Sequence, residues 1–128
     1  MRPDLAIHIF MHKALRNEPI TIFGDGTKSR DFTYIQDIVR ANISAMEKGF
    51  GEYNIGGGYN ITVRQLAEKI IAVARSTSKI TYENAVKGDA EHTSANIKKA
   101  EKELGWIPKI TIDDGLEIYK KWIQQYQL

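Results

Sequence analysis

The chain has 128 residues, 42% hydrophobic and 27% charged, the profile of one compact globular domain. Lysine and arginine exceed the acids by only +2 and are scattered, which gives no electrostatic case for nucleic acid or an anionic membrane. Cysteine is absent, so disulfides, thiolate metal sites, iron–sulfur clusters and cysteine nucleophiles are excluded. No apolar run approaches the ~20 residues that span a bilayer, and the N-terminus has no signal-peptide layout, so a cytoplasmic location is expected.

The first helix is predicted to open at Pro3-Asp4, where proline suits the first turn and aspartate suits the dipole. Ile7, Phe10, Met11, Ala14 and Leu15 give it one apolar face, and Asn17 and Pro19 stop it. Ile20 to Phe23 reads as a strand, Gly24-Asp25-Gly26 as a turn, and Asp31 to Tyr34 as a second extended piece. Ile38, Val39, Asn42, Ile43, Ala45 and Met46 mark a helix that ends near Gly49. Tyr53-Asn54-Ile55 reads as a strand before Gly56-Gly57-Gly58. Thr62 and Gln65 form a capping box for a helix buried through Leu66, Ile70, Val73 and Ala74. Lys79 to Glu83 alternates like a strand, and residues 84–95 are polar and irregular. Asn96 is predicted to cap a short helix ending at Leu104-Gly105. Thr111 and Asp114 cap a last helix carrying Leu116, Ile118, Tyr119, Trp122 and Ile123. The fold class is therefore α/β: a small mixed lobe of about five helices and four short strands, too dispersed for a doubly wound sheet.

Autonomous catalytic machinery is missing from the pattern. There is no G-x-G-x-x-G and no G-x-S-x-G, and the stretch from Gly24 to Ser29 lacks the glycine that a phosphate loop needs before Lys28. His8 and His12 stand at i and i+4, but Ile9 replaces the glutamate of H-E-x-x-H and His92 is distant in sequence, so they read as surface or half-buried histidines. Asp113-Asp114 is explained by the helix dipole, and Trp106 and Trp122 by core packing. One constellation invites a ligand: the strand ending at Phe23, the glycine turn, then Arg30. A glycine turn lets backbone approach a ligand, and guanidinium donates two parallel hydrogen bonds to phosphate oxygens. The alternative is that Arg30 merely pairs with Asp31 or another surface acid.

The ordered series Arg2-Pro3-Asp4-Leu5-Ala6, Pro19-Ile20 with Phe23-Gly24-Asp25-Gly26, Arg30-Asp31-Phe32, Asp37, Tyr53-Asn54-Ile55-Gly56, Gly88-Asp89, Thr93 and Leu104-Gly105-Trp106 with Pro108 resembles the C-terminal part of NAD-dependent nucleotide-sugar epimerases and dehydratases. These are extended short-chain dehydrogenase/reductases, and the pattern is most similar to the UDP-glucose and UDP-glucuronate 4-epimerases. The resemblance implies that residues 1–128 are the nucleotide-sugar-binding C-terminal domain. The NAD-binding Rossmann domain, with its Tyr-x-x-x-Lys, would be a separate half. None of the six tyrosines here is followed by lysine four positions later. By the same resemblance, Arg30 meets the substrate diphosphate, Phe23 the uracil and Asp89 the ribose. Lys87 stands beside Val86, which occupies the place of a second phosphate-binding arginine; lysine supplies charge without the fork. The expected partners are a UDP-sugar and the Rossmann half, with no nucleic acid and no membrane. No cofactor is expected in this chain, and NAD is expected in the missing half. The isolated lobe is expected to be catalytically inactive and to expose an apolar docking face, including part of the first helix, through which it could self-associate. The competing expectation is a vestigial or non-catalytic assembly module.

Overall fold

The computed structural model describes residues 5–85, 88 and 90–126. Its elements in chain order are α1 (Ala6–Leu15), β1 (Ile20–Phe23), β2 (Ser29–Asp31), α2 (Ile35–Lys48), β3 (Asn60–Thr62), α3 (Val63–Ala74), β4 (Ile80–Glu83), α4 (Lys98–Leu104) and α5 (Ile112–Tyr126). This is the mixed lobe of five helices and four short strands read from the sequence. The strands form two separate two-stranded sheets: β1 parallel to β4, and β2 antiparallel to β3.

The elements follow local chemistry with a few corrections. Pro3 and Asp4 lie outside the described residues; the described helix starts at Ala6, with Leu5 in extended conformation and no side-chain cap. The capping box is present: Thr62 Oγ1 accepts from Gln65 N at 3.1 Å and Gln65 Oε1 accepts from Thr62 N at 2.9 Å. Thr111 Oγ1 accepts from Asp114 N at 3.2 Å, and Gly105 closes α4 in the left-handed conformation. The N-cap position of α4 is Ile97, yet Asn96 Oδ1 accepts from Lys98 N at 3.2 Å, so asparagine still serves the helix start. The second extended piece lies at Ser29–Asp31 and not at Asp31–Tyr34, because Asn60–Thr62 supplies its partner there and the chain then turns into α2. Tyr53–Ile55 joins no strand among the described residues, while Asn60–Thr62, unread in the sequence, does.

Two apolar clusters hold the lobe. In the larger, α1 packs on α3 and α3 on α5, burying Phe10, Met11, Leu66, Ile70, Leu116 and Ile123 with Ile20 and Ile22 of β1. Each such side chain contributes about 1.5–3 kcal/mol on burial. The smaller cluster joins α2 to α4 through Ala41, Ala100, Leu104 and Trp106. Trp106 is thus a core anchor, 2% exposed, whereas Trp122 is 40% exposed.

Asp37 locks the second cluster to α5. Its side chain is 1% exposed. One carboxylate oxygen accepts from the backbone N–H of Lys109 at 3.0 Å and of Ile110 at 2.9 Å, and the other accepts from Arg40 Nη2. Its main-chain carbonyl accepts from Trp106 Nε1 at 2.9 Å. Burial pushes the carboxyl upward, but the Ile110 N–H, Arg40 and the Lys109 N–H outweigh it, and the pKa falls below the ordinary aspartate value. Asp37→Ala should therefore cost about 3 kcal/mol in urea denaturation, since it strands two backbone donors. A depressed folded pKa means the contribution is complete above about pH 4 and lost as pH falls through the folded value. The variant should thus lose much of the acid limb of the wild-type stability curve.

Candidate nucleotide site

The end of β1 is open to ligand. In the parallel β1–β4 ladder, Ile20 N donates to Lys79 O at 2.9 Å and Gly24 N donates to Glu83 O at 2.8 Å. Alternation then turns residues 20, 22 and 24 toward β4 and the backbone groups of Thr21 and Phe23 toward the opposite edge. No other described strand pairs with that edge. Phe23 ends the strand with its ring 53% exposed. Gly26 then reverses the chain at φ 82°, where a side chain would be strained and a Cβ would lie 3.1 Å from that of Arg64. Asp25 closes the same turn: its Oδ1 accepts from Thr27 Oγ1 at 2.6 Å and from Thr27 N at 2.9 Å, bonds that hold its carboxyl below the usual pKa.

Arg30 sits on β2 opposite Ile61. Its Nη1 donates to Ser29 O at 2.8 Å and to Glu91 O at 3.4 Å. The carbonyl of Glu91 also accepts from Ser29 N at 2.9 Å, Thr93 N donates to Ser29 O at 3.2 Å, and Ser29 Oγ lies 2.9 Å from His92 Nδ1. The segment containing residues 91–93 is therefore laid along β2 beside Arg30. The other end of that segment leaves β4 at Glu83, and Ala85 lies against Gly24. One stretch of chain thus starts beside Phe23-Gly24 and ends beside Ser29-Arg30. Lys87 and Asp89, the other two residues implied by the resemblance, belong to this stretch and lie outside the described residues.

Asp31 fixes the opposite side of β2. Its Oδ1 accepts from Gly57 N at 2.6 Å and its Oδ2 from Ala95 N at 3.2 Å. A Cβ on Gly57 would stand 2.3 Å from Phe32 O, so only glycine allows this approach. Asp31 is thus occupied with backbone donors. Neither Asp31's role nor the Ser29–His92 tether was read from the sequence, where Gly56-Gly57-Gly58 carried no assigned contact. Asp31 also lines a polar groove of about 350 Å³ with Thr33, Asn54, Thr93 and Ser94. A larger apolar cavity of about 580 Å³ opens between α1, the start of α2 and α5, beside Leu5, Ile7, Ile35, Ile38, Ile118 and Trp122. Neither is lined by Phe23 or Arg30.

The sequence profile of GDP-mannose 4,6 dehydratase matches residues 4–119. The chain belongs to this family. It is 40% identical over 126 residues to a UDP-glucuronate 4-epimerase of Thermodesulfobacterium geofontis, covering 97% of this chain and 39% of that protein. The fold superposes on the UDP-glucose 4-epimerase of Thermotoga maritima, solved with UDP-glucose, with a TM-score of 0.90 at 37% identity over 94% of this chain and 40% of the other. It superposes equally, at TM-score 0.90 and 35% identity, on a UDP-glucuronic acid 4-epimerase of Bacillus cereus in complex with UDP-glucuronic acid and NAD, covering 98% of this chain and 41% of the other. The chain thus spans about 40% of the length of these relatives and corresponds to their C-terminal part. No helix among the described residues is long and apolar enough to cross a membrane.

Asp31→Ala should release both the glycine corner and the 91–95 segment. We expect a loss of about 2 kcal/mol and faster hydrogen exchange at the Gly57 and Ala95 amides, by more than the roughly thirtyfold by which that loss speeds the Leu66 and Ile70 amides of α3 if they exchange through global unfolding.

Proposed function

We propose that this chain is the nucleotide-sugar-binding part of an NAD-dependent UDP-sugar epimerase. The observation that carries the reading is the shared stretch 84–93, which brings the open end of β1 and Arg30 to its two ends, in a family whose relatives were solved with UDP-sugars. In this reading the base lies along the outer edge of β1 at Phe23, hydrogen-bonded to backbone. Arg30 receives the diphosphate with a fork that a lysine lacks, Lys87 adds charge, and Asp89 accepts from the ribose hydroxyls. Binding the nucleotide here leaves the sugar outside the lobe, where its ring is free to present either face to a reacting group. Remote binding energy then positions the reacting carbon.

The residues present do not fit NAD. The glycine turns Gly24–Gly26 and Gly56–Gly58 lead into strands β2 and β3, and Gly49–Gly51 follows the end of α2, whereas a dinucleotide turn opens a helix whose N-terminus faces the pyrophosphate. We therefore assign the redox half of the reaction to the remainder of an epimerase of relatives' length. The surface that meets it is apolar. Ile35, Val39, Ile43, Met46 and Phe50 on and after α2 are 64%, 48%, 51%, 87% and 91% exposed, more than Leu5 and Ile9 at the first helix. The extended, unladdered Tyr53–Ile55 follows directly.

Calorimetric titration with UDP tests the reading. Wild-type chain should release heat, and Arg30→Ala should weaken binding at least tenfold; no heat at millimolar UDP would favour a non-catalytic module. Mixed with NAD and UDP-glucose, the pure chain should form no UDP-galactose, and turnover would overturn the division of labour. In sedimentation velocity the chain alone should self-associate, and Ile43→Lys with Met46→Lys should return it to monomer.

A further inference from the structure

The two histidines of α1 fall outside everything assigned so far. His8 and His12 are one helical turn apart, both half-buried, with ring centroids 4.3 Å apart and planes tilted by 48°. An i, i+4 pair of imidazoles is the helical spacing that presents two nitrogens to one ion. What distinguishes this pair from two incidental histidines is Tyr119, reaching from α5. Its hydroxyl lies 2.7 Å from His8 Nδ1. A neutral imidazole that donates Nδ1–H to that oxygen keeps its lone pair on Nε2, with the ring held in place; metal-ligating histidines are oriented by such an outer partner.

We propose that His8 and His12 form a two-nitrogen site for a divalent transition ion, Zn²⁺ or its neighbours Co²⁺, Ni²⁺ and Cu²⁺, with Tyr119 as the residue that positions His8. Among the described residues no group of three ligating side chains occurs, so the proposed site has two protein donors there. A donor set of imidazoles alone selects against Mg²⁺ and Ca²⁺, which take oxygen ligands. The site spans no new element by its ligands, but through Tyr119 it couples α1 to α5 at the flank of the apolar cavity, whose lining includes Ile7 and Tyr119.

The test is a titration of the tag-free chain with Co²⁺ followed by d–d absorption, then displacement by Zn²⁺. One saturable equivalent is expected, with no competition from Mg²⁺. His12→Asn and His8→Asn should each weaken Co²⁺ binding at least tenfold, and Tyr119→Phe about tenfold, while His92→Asn leaves it unchanged. Electron paramagnetic resonance of the Cu²⁺ form should show two coupled nitrogens in wild type and one in His12→Asn. Circular dichroism checks folding; should His8→Asn unfold for want of its tyrosine bond, His12→Asn decides. Non-saturable uptake, or equal affinity in wild type and His12→Asn, overturns the proposal.

Discussion

The lobe depends on one buried carboxylate. Asp37 stands on the first turn of α2 and, apart from Arg40 one turn on, is spent on groups far away in sequence: the N–H groups of Lys109 and Ile110, and through its carbonyl the Trp106 indole. A buried acid left unpaired would cost several kcal/mol, so these partners are what permit it. The constraint passes outward from there. The 106–110 segment fixes where α5 begins, α5 packs on α3, and α3 begins at β3, which forms the ladder carrying Arg30. The position of a surface arginine is thereby referred back to a carboxylate in another cluster.

The two small sheets are too short to place a site by themselves. The stretch that leaves β4 at Glu83 and returns along β2 at Glu91 ties one sheet to the other. A backbone bridge costs less conformational entropy at the moment of binding than side chains gathered from mobile loops. Arg30 Nη1 donates to the Ser29 and Glu91 carbonyls, one at each side of that tie, which holds the guanidinium near the strand edge.

Legibility in the sequence tracked the range of the interaction. Thr62 with Gln65, Thr111 with Asp114 and Gly105 are local devices within four residues, and the structure has each of them. The apolar periodicity of α1, α3 and α5 was equally plain. Strand pairing was not local: Asn60–Thr62 is a strand because Ser29–Asp31 lies opposite, and no propensity in N-I-T announces that. Of the site, Phe23 at a strand end and Arg30 after a turn were readable as residues, but the Asp31–Gly57–Ala95 and Ser29–His92 links join positions 26 or more apart. The role of Asp37 was hidden for the same reason, since the partners of a buried acid are set by tertiary structure.

The misread Tyr53–Ile55 carries a further step. Its side chains have strand character, its backbone joins no ladder among the described residues, and the helix before it exposes Val39, Ile43 and Met46. A helix with an exposed apolar face, followed by an apolar segment that joins no described ladder, presents surface that a further layer of structure would cover. Exposed apolar stripes are costly in a free lobe, and Val39, Ile43, Met46 and Tyr53–Ile55 all lie within residues 39–55. The consequence for chemistry is geometric. Gly57, two residues past Ile55, donates its N–H to Asp31, the neighbour of Arg30 on β2, so the exposed apolar run and the strand that carries Arg30 meet at one hydrogen bond.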